Sequence, residues 1–95
     1  MNRQIHISSL VVQVRPERVA AVAQALRGLA GLEVYAADPR GKLVLVLETA
    51  HERAILDTLE RIQREPGVLS ANLVYHHMES AESLAQEVSH GANPP

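Results

Sequence analysis

The fold is decided by a short stretch near the middle of the chain, KLVLVLE at residues 42–48. Its interior is apolar at every position, so a strand formed by it presents an apolar surface on both faces. The stretch IHISSLVVQV at residues 5–14 is rich in β-branched residues and also carries apolar side chains on both faces. Strands of this kind lie in the middle of a sheet, where something covers each face at least part of the time.

Two helical patterns and two further strands surround these stretches. Pro16 and Glu17 open the first helix, and its apolar positions recur at helical spacing up to Leu26. A capping box, with Thr49 as the N-cap and Glu52 reaching back, opens the second helix, which runs to about residue 64. The remaining strands are predicted at residues 32–37 and 68–76.

The element order β-α-β-β-α-β is that of the split βαβ, or ferredoxin-like, α+β fold. Right-handed crossovers place both helices on one face of a four-stranded antiparallel sheet with the strand order 4-1-3-2. Strands one and three are then central, and these are the two strands that are apolar on both sides. The two independent arguments agree.

One face of this sheet has no helix over it. Alternation assigns Leu10, Val12 and the leucines of strand three to the helix side, although a one-residue register error would reverse strand three. The open face then carries nine residues: Ile5, Ile7, Ser9, Val11, Val44, Val46, Asn72, Val74 and His76. A contiguous apolar patch on a small protein marks an interaction site. A second copy of the chain could pack on it sheet to sheet, a partner helix could lie across it, or an extended segment could add to an edge strand.

Composition narrows the class of protein. The chain of 95 residues is long enough for one domain, which we predict at residues 1–77. We expect the acidic tail that follows, at residues 78–95, to be flexible. The net charge of −2, the lack of a basic block and the presence of only two aromatic residues argue against nucleic acid. The N-terminus does not resemble a secretory signal and no apolar run is long enough to span a membrane, so a cytoplasmic protein is predicted.

The residues offer little for catalysis or for a metal. The chain has no cysteine, no nucleophile motif and no phosphate-binding loop, so we expect neither an enzyme nor a cofactor. His6 comes close to His76 if Val14 pairs near Val68. A metal site needs three or four converging ligands, however, and we predict none here.

Three short motifs at these spacings resemble the NapD family. They are SLVVQV at residues 9–14, the Pro66-Gly67-Val68 entry to the last strand, and LVYHH at residues 73–77 followed by an acidic tail. The resemblance covers about residues 5–80. The family usually has Gln where this chain has His77.

The resemblance implies a ferredoxin-like, non-enzymatic assembly chaperone of periplasmic nitrate reductase. Such proteins bind the twin-arginine signal peptide of the catalytic subunit NapA in the cytoplasm and delay export until the molybdenum cofactor of that partner is inserted. The peptide, as a helix, would lie on the open face, with Glu33, Glu48 and Glu79 available for its arginines. A monomer or weak homodimer without stable membrane association is expected. The alternative is a ferredoxin-like homodimeric regulatory module that binds a small ligand.

Overall fold

A computed structural model describes residues 4–80 of the chain, and side chains up to residue 78. The four strands are β1 (Gln4–Val14), β2 (Leu32–Asp38), β3 (Lys42–Thr49) and β4 (Val68–Ser80). A 3₁₀ turn at Pro16–Arg18 leads into α1 (Val19–Leu26), and α2 (Glu52–Gln63) connects β3 to β4.

All four strands pair antiparallel in the order β2-β3-β1-β4. This is the predicted order 4-1-3-2 read from the other edge, and it confirms the ferredoxin-like α+β fold. Strands β1 and β3 are central, as their apolar sequences predict.

The core lies between the sheet and the two helices. On the sheet side it contains Leu10, Val12 and the three leucines of β3, all of them fully buried. The helices contribute Val22 and Leu26 from α1 and Ile55 and Ile62 from α2 to the same cluster. Burial of the β3 leucines fixes the face assignment of this strand and excludes the one-residue alternative.

The predicted capping box is wrong. Thr49 remains in β3, where it pairs with His6, and α2 begins at Glu52 after His51 as the N-cap residue. His51 makes no side-chain capping hydrogen bond. The Thr49 hydroxyl oxygen is buried and has no hydrogen-bond partner in the described part of the chain.

Strand β4 is longer than predicted. The sequence predicts an end at residue 76, and the strand instead continues to Ser80, because β1 begins at Gln4 and pairs with it to the end. The strand therefore passes the predicted domain boundary at residue 77. Residues 81–95 of the predicted tail lie outside the described residues, so the division of the chain and the flexible tail stay predictions.

Candidate functional site

The candidate site is the open face, the surface of the sheet opposite the core. Residues that pair directly across antiparallel strands share a face, so the register defines this surface as a series of rows. On β3 and β1 the rows are Glu48 with Ile7, Val46 with Ser9, Val44 with Val11, and Lys42 with Gln13. β2 adds Glu33 beside Val46, Ala36 beside Val44 and Asp38 beside Lys42.

The middle of this face is apolar and only partly covered. Ile5, Ile7, Val11, Val44 and Val46 are all intermediate in exposure, as is Ser9 between them. No helix of the described part packs on these side chains, since both helices bury their apolar residues in the core on the other side. The six predicted β1 and β3 residues are therefore together on one surface.

Strand β4 does not follow the simple alternation that the sequence prediction assumed. Its register against β1 shifts between Ser9 and Leu10, where Leu73 and Tyr75 are the partners and Val74 is the extra residue of a β-bulge. Asn72, before the bulge, lies opposite Val11 on the open face as predicted. Val74 itself, 59% exposed, belongs to the bulge and not to a row of the face.

The placement of His76 on the open face is wrong. The bulge reverses the alternation, so His76 pairs with Ser8 on the helix side of the sheet. There its Nε2 lies 2.9 Å from Nδ1 of His6, a residue that is only 8% exposed. The predicted closeness of these two histidines is thus confirmed, and it occurs on the face opposite to the one predicted for His76.

The two imidazole rings meet edge to edge. Their planes differ by 5° and their centroids are 5.2 Å apart, while the facing nitrogens are only 2.9 Å apart. At this distance one nitrogen donates its proton and the other accepts it. This hydrogen bond ties β4 to β1 beyond the bulge.

Sequence reasoning missed Tyr75 and His77, which take the place of Val74 and His76 on the open face. Tyr75 lies opposite Ser9 and is 56% exposed, and His77 lies opposite Ile7. Their rings are nearly parallel, with centroids 6.2 Å apart. The aromatic pair extends the apolar surface toward the β4 edge.

The three predicted arginine-pairing residues lie toward one end of the open face. Glu48 is next to Ile7, and Glu33 sits diagonally across from Glu48 at the position opposite Val46. Both are exposed, and neither forms a salt bridge with another described residue. The register places residue Glu79 opposite Ile5 at the same end.

Gly31 fixes the backbone beside these carboxylates. The Glu48 N–H donates to the Gly31 carbonyl oxygen at 2.9 Å, and Gly31 has a φ of 76°, in the left-handed region. A Cβ at this position would collide with the Glu48 carbonyl oxygen. Glycine therefore lets the chain approach β3 closely where Glu48 is presented.

The opposite end of the face has a carboxylate that is already paired. Arg40 donates from Nη2 to Oδ2 of Asp38 at 2.8 Å and from Nε to Oδ1 at 3.1 Å. Its backbone N–H also donates to Oδ1 at 2.9 Å. The Arg40 side-chain and backbone hydrogen bonds lower the pKa of Asp38 to about 2. Lys42, the register partner of Asp38, adds a second cation here.

Within residues 4–80 no three His, Cys, Asp or Glu side chains come together as a metal site. The same part of the chain has no helix of the length and hydropathy needed to cross a bilayer. What the open face offers is a half-buried apolar strip, and at one end of it carboxylates that have no salt-bridge partner among the described residues.

The fold and this surface define a small ferredoxin-like α+β domain in which one sheet face is covered by no helix of residues 4–80. Residues 5–80 match the family model described as NapD protein, and the chain belongs to the NapD family. A protein named Chaperone NapD from Escherichia coli K12 is 35% identical over 80 residues, which are 83% of this chain and 92% of that protein. The protein of the same name from Paracoccus pantotrophus is 41% identical over 81 residues, 85% of this chain and 71% of that protein.

Solved structures agree with this assignment. The solution structure of the E. coli Tat proofreading chaperone protein NapD matches with a TM-score of 0.74 at 35% identity, covering 83% of this chain and 84% of that one. The relatives support a chaperone role for this chain. A transcriptional regulatory protein of the AsnC family from Pyrococcus furiosus matches with a TM-score of 0.58 at 13% identity, over 79% of this chain and 49% of that one. That second likeness concerns the fold alone.

Proposed function

We propose that this protein is a cytoplasmic chaperone that binds the twin-arginine signal peptide of the periplasmic nitrate reductase catalytic subunit, NapA. By holding the peptide it keeps the precursor from export while the molybdenum cofactor of that partner is inserted. The observation that carries the proposal is the open face, where a half-buried apolar strip meets Glu33 and Glu48, two carboxylates without a salt-bridge partner among residues 4–78. The membership of the chain in the NapD family supports it.

The apolar strip suits the hydrophobic segment of such a peptide. Val11, Val44 and Val46 are partly exposed, so an apolar helix laid across them removes further surface from water. Each fully buried side chain of this size contributes about 1.5 kcal/mol or more, and a partly buried one contributes less. Several such contacts give an affinity that remains reversible, as a chaperone that must release its client requires.

The carboxylates suit the arginine pair. A guanidinium forms charge-assisted hydrogen bonds with a carboxylate, and these are stronger when both groups leave bulk water. Glu33 and Glu48 are exposed and have no competing salt bridge in the described part of the chain. Glu79, at its register position opposite Ile5, is a third candidate.

The first experiment places a charge in the strip. We expect Val44→Glu and Val11→Glu each to weaken binding of a synthetic twin-arginine signal peptide at least about tenfold, since a carboxylate would be buried under an apolar helix. Isothermal titration calorimetry measures this. Leu56→Glu is the matched control, because Leu56 is 61% exposed on α2, in the helix layer. Unchanged affinity in both face variants, with wild-type melting temperatures, would refute the open face as the binding site.

The oligomeric state gives a second test of the same surface. If a second copy packs on the open face, it competes with the peptide for the same apolar side chains. We propose a monomer or a weak homodimer that the peptide converts to a one-to-one complex. Sedimentation velocity with increasing peptide measures this, and a stable dimer that binds peptide without dissociating would contradict it.

A further inference from the structure

Resting on the proposed function, we propose that the open face binds its peptide in one direction only. The arginines lie at the end of the face with Glu33 and Glu48, and the apolar segment then runs over the valines toward Lys42. The peptide is therefore parallel to β1, which runs from the acidic end at Ile5 and Ile7 to the basic end at Gln13.

The carboxylates of the open face are not equally available to a peptide. Among residues 4–78 the register places three of them on the open face, Glu33, Glu48 and Asp38. Asp38 is already held by two side-chain nitrogens of Arg40 and by the Arg40 backbone N–H, so a peptide arginine would have to displace an existing partner. The two glutamates have no such partner among the described residues.

The two available glutamates are spaced for two cations. Glu33 lies opposite Val46, and Glu48 lies two residues further along β3 on the same face. Such diagonal neighbours on a sheet are roughly 7–8 Å apart. Two adjacent arginines of a peptide that lies on the open face can therefore each bind a carboxylate of their own. With only one carboxylate present, the two arginines would have to share it.

The other end of the face repels arginine and favours a helix C-terminus. Lys42 lies beside Gln13 in the last row and supplies the net positive charge of this end, because the charges of Arg40 and Asp38 balance each other. The C-terminal end of a helix carries a partial negative charge, so cations placed there stabilise it. A peptide in the reverse direction would put its arginines against Lys42 and leave both glutamates unpaired.

The length of the face also fits. From Ile7 to Gln13 the strand advances six residues, which is about 20 Å at the rise of an antiparallel strand. A helix of about 13 residues has this length. An arginine pair followed by an apolar segment of that size spans the face from the glutamates to Lys42.

Paramagnetic labels at the two ends of the sheet test the direction. The chain has no cysteine, so Ala50→Cys at the acidic end and Pro66→Cys at the basic end each give one labelled site. Both residues are exposed and lie in loops outside the open face. The probe is an isotope-labelled synthetic peptide with two arginines followed by an apolar segment.

We expect the label at residue 50 to broaden NMR signals near the arginines and the label at residue 66 to broaden those at the end of the apolar segment. The reverse pattern, or equal broadening from both labels, would overturn the direction while leaving peptide binding intact. A peptide that does not bind at all would overturn the proposed function, and the direction with it.

Charge variants provide the second readout. We expect the double variant Glu33→Gln/Glu48→Gln to weaken peptide binding about tenfold. This loss of affinity should vanish when the arginines of the peptide are replaced by glutamine. Asp38→Asn is the matched control, with a change of less than about twofold expected because that carboxylate is already paired. A larger loss from Asp38→Asn than from the double variant would contradict the proposal.

Discussion

Alternate residues of strands β1 and β3 lie on opposite faces of the sheet, and in β3 the two faces differ in both side-chain size and burial. On the helix side, Leu43, Leu45 and Leu47 are 0% exposed and interdigitate with the helices. On the open side, Val44 and Val46 between them remain partly exposed. One face of each strand supplies the core, and no helix of residues 4–80 covers the other.

The difference in residue type has a physical meaning. Leucine can reach into gaps between helices, which a close-packed core requires. Valine and isoleucine are β-branched and have few rotamers, so a surface made of them loses little side-chain entropy when a ligand covers it. In β3 the leucines therefore fill the core, and the valines give the open side a surface of few rotamers.

The largest expected effect is a difference in the free energy of unfolding between a substitution on the helix side and one on the open face. Leu45→Ala opens a cavity under the helices and should lower the free energy of unfolding by about 2–5 kcal/mol. Val44→Ala, its neighbour on the open face, should cost less than about 1 kcal/mol because part of its surface is already in water. Urea denaturation followed by circular dichroism measures both. Equal losses would mean that the two faces contribute alike to folding.

A smaller effect is expected on peptide affinity, for alanine substitutions at two adjacent residues that lie on opposite faces. Tyr75 lies on the open face and His76 on the helix side. Tyr75→Ala should weaken peptide binding about fivefold, the equivalent of about 1 kcal/mol of aromatic contact. His76→Ala should change the affinity less than about twofold, although it loses the hydrogen bond to His6. If His76→Ala weakens binding more than Tyr75→Ala, the bulge does not reverse β4 as described.

The smallest effect concerns the paired carboxylate at the basic end. Hydrogen bonds from the Arg40 side chain and backbone lower the pKa of Asp38 from the usual 3.8 to about 2. The stability from this pairing is therefore fully present above about pH 4 and is lost as the pH falls toward 2. The melting temperatures of wild type and Asp38→Asn should differ at pH 7 and converge over that interval. A difference that stays constant down to pH 2 would contradict this assignment.

The order of elements, the sheet topology and the faces of β1 and β3 could be predicted from the sequence. The faces rest on a pattern that each strand carries in itself, such as leucine alternating with valine at residues 43–47. The topology follows from the order of elements and the right-handed crossovers. The helix boundary at Thr49 was wrong because pairing with His6 keeps that residue in the strand. A capping motif competes with such tertiary pairing and does not always prevail.

The face of β4 beyond the bulge could not be predicted by alternation. A bulge depends on how two strands meet, so neither sequence alone reports the residue at which it falls. The sequence does contain one signal for the face of His76. Its predicted closeness to His6 requires both histidines to share a face, and His6, which lies between the open-face residues Ile5 and Ile7, belongs to the helix side. Following that constraint along β4 would have placed Tyr75 and His77, not His76, on the open side.

The central position of β1 has a consequence for how this sequence can change length. Insertion or deletion of a single residue in its middle would shift every following side chain to the opposite surface, turning Leu10 or Val12 outward and Val11 inward. The strand has hydrogen-bonded neighbours on both sides, so it has no free edge along which to absorb the slip. Length variation among such chains is therefore expected in the connecting loops, whereas the register of β1 is kept.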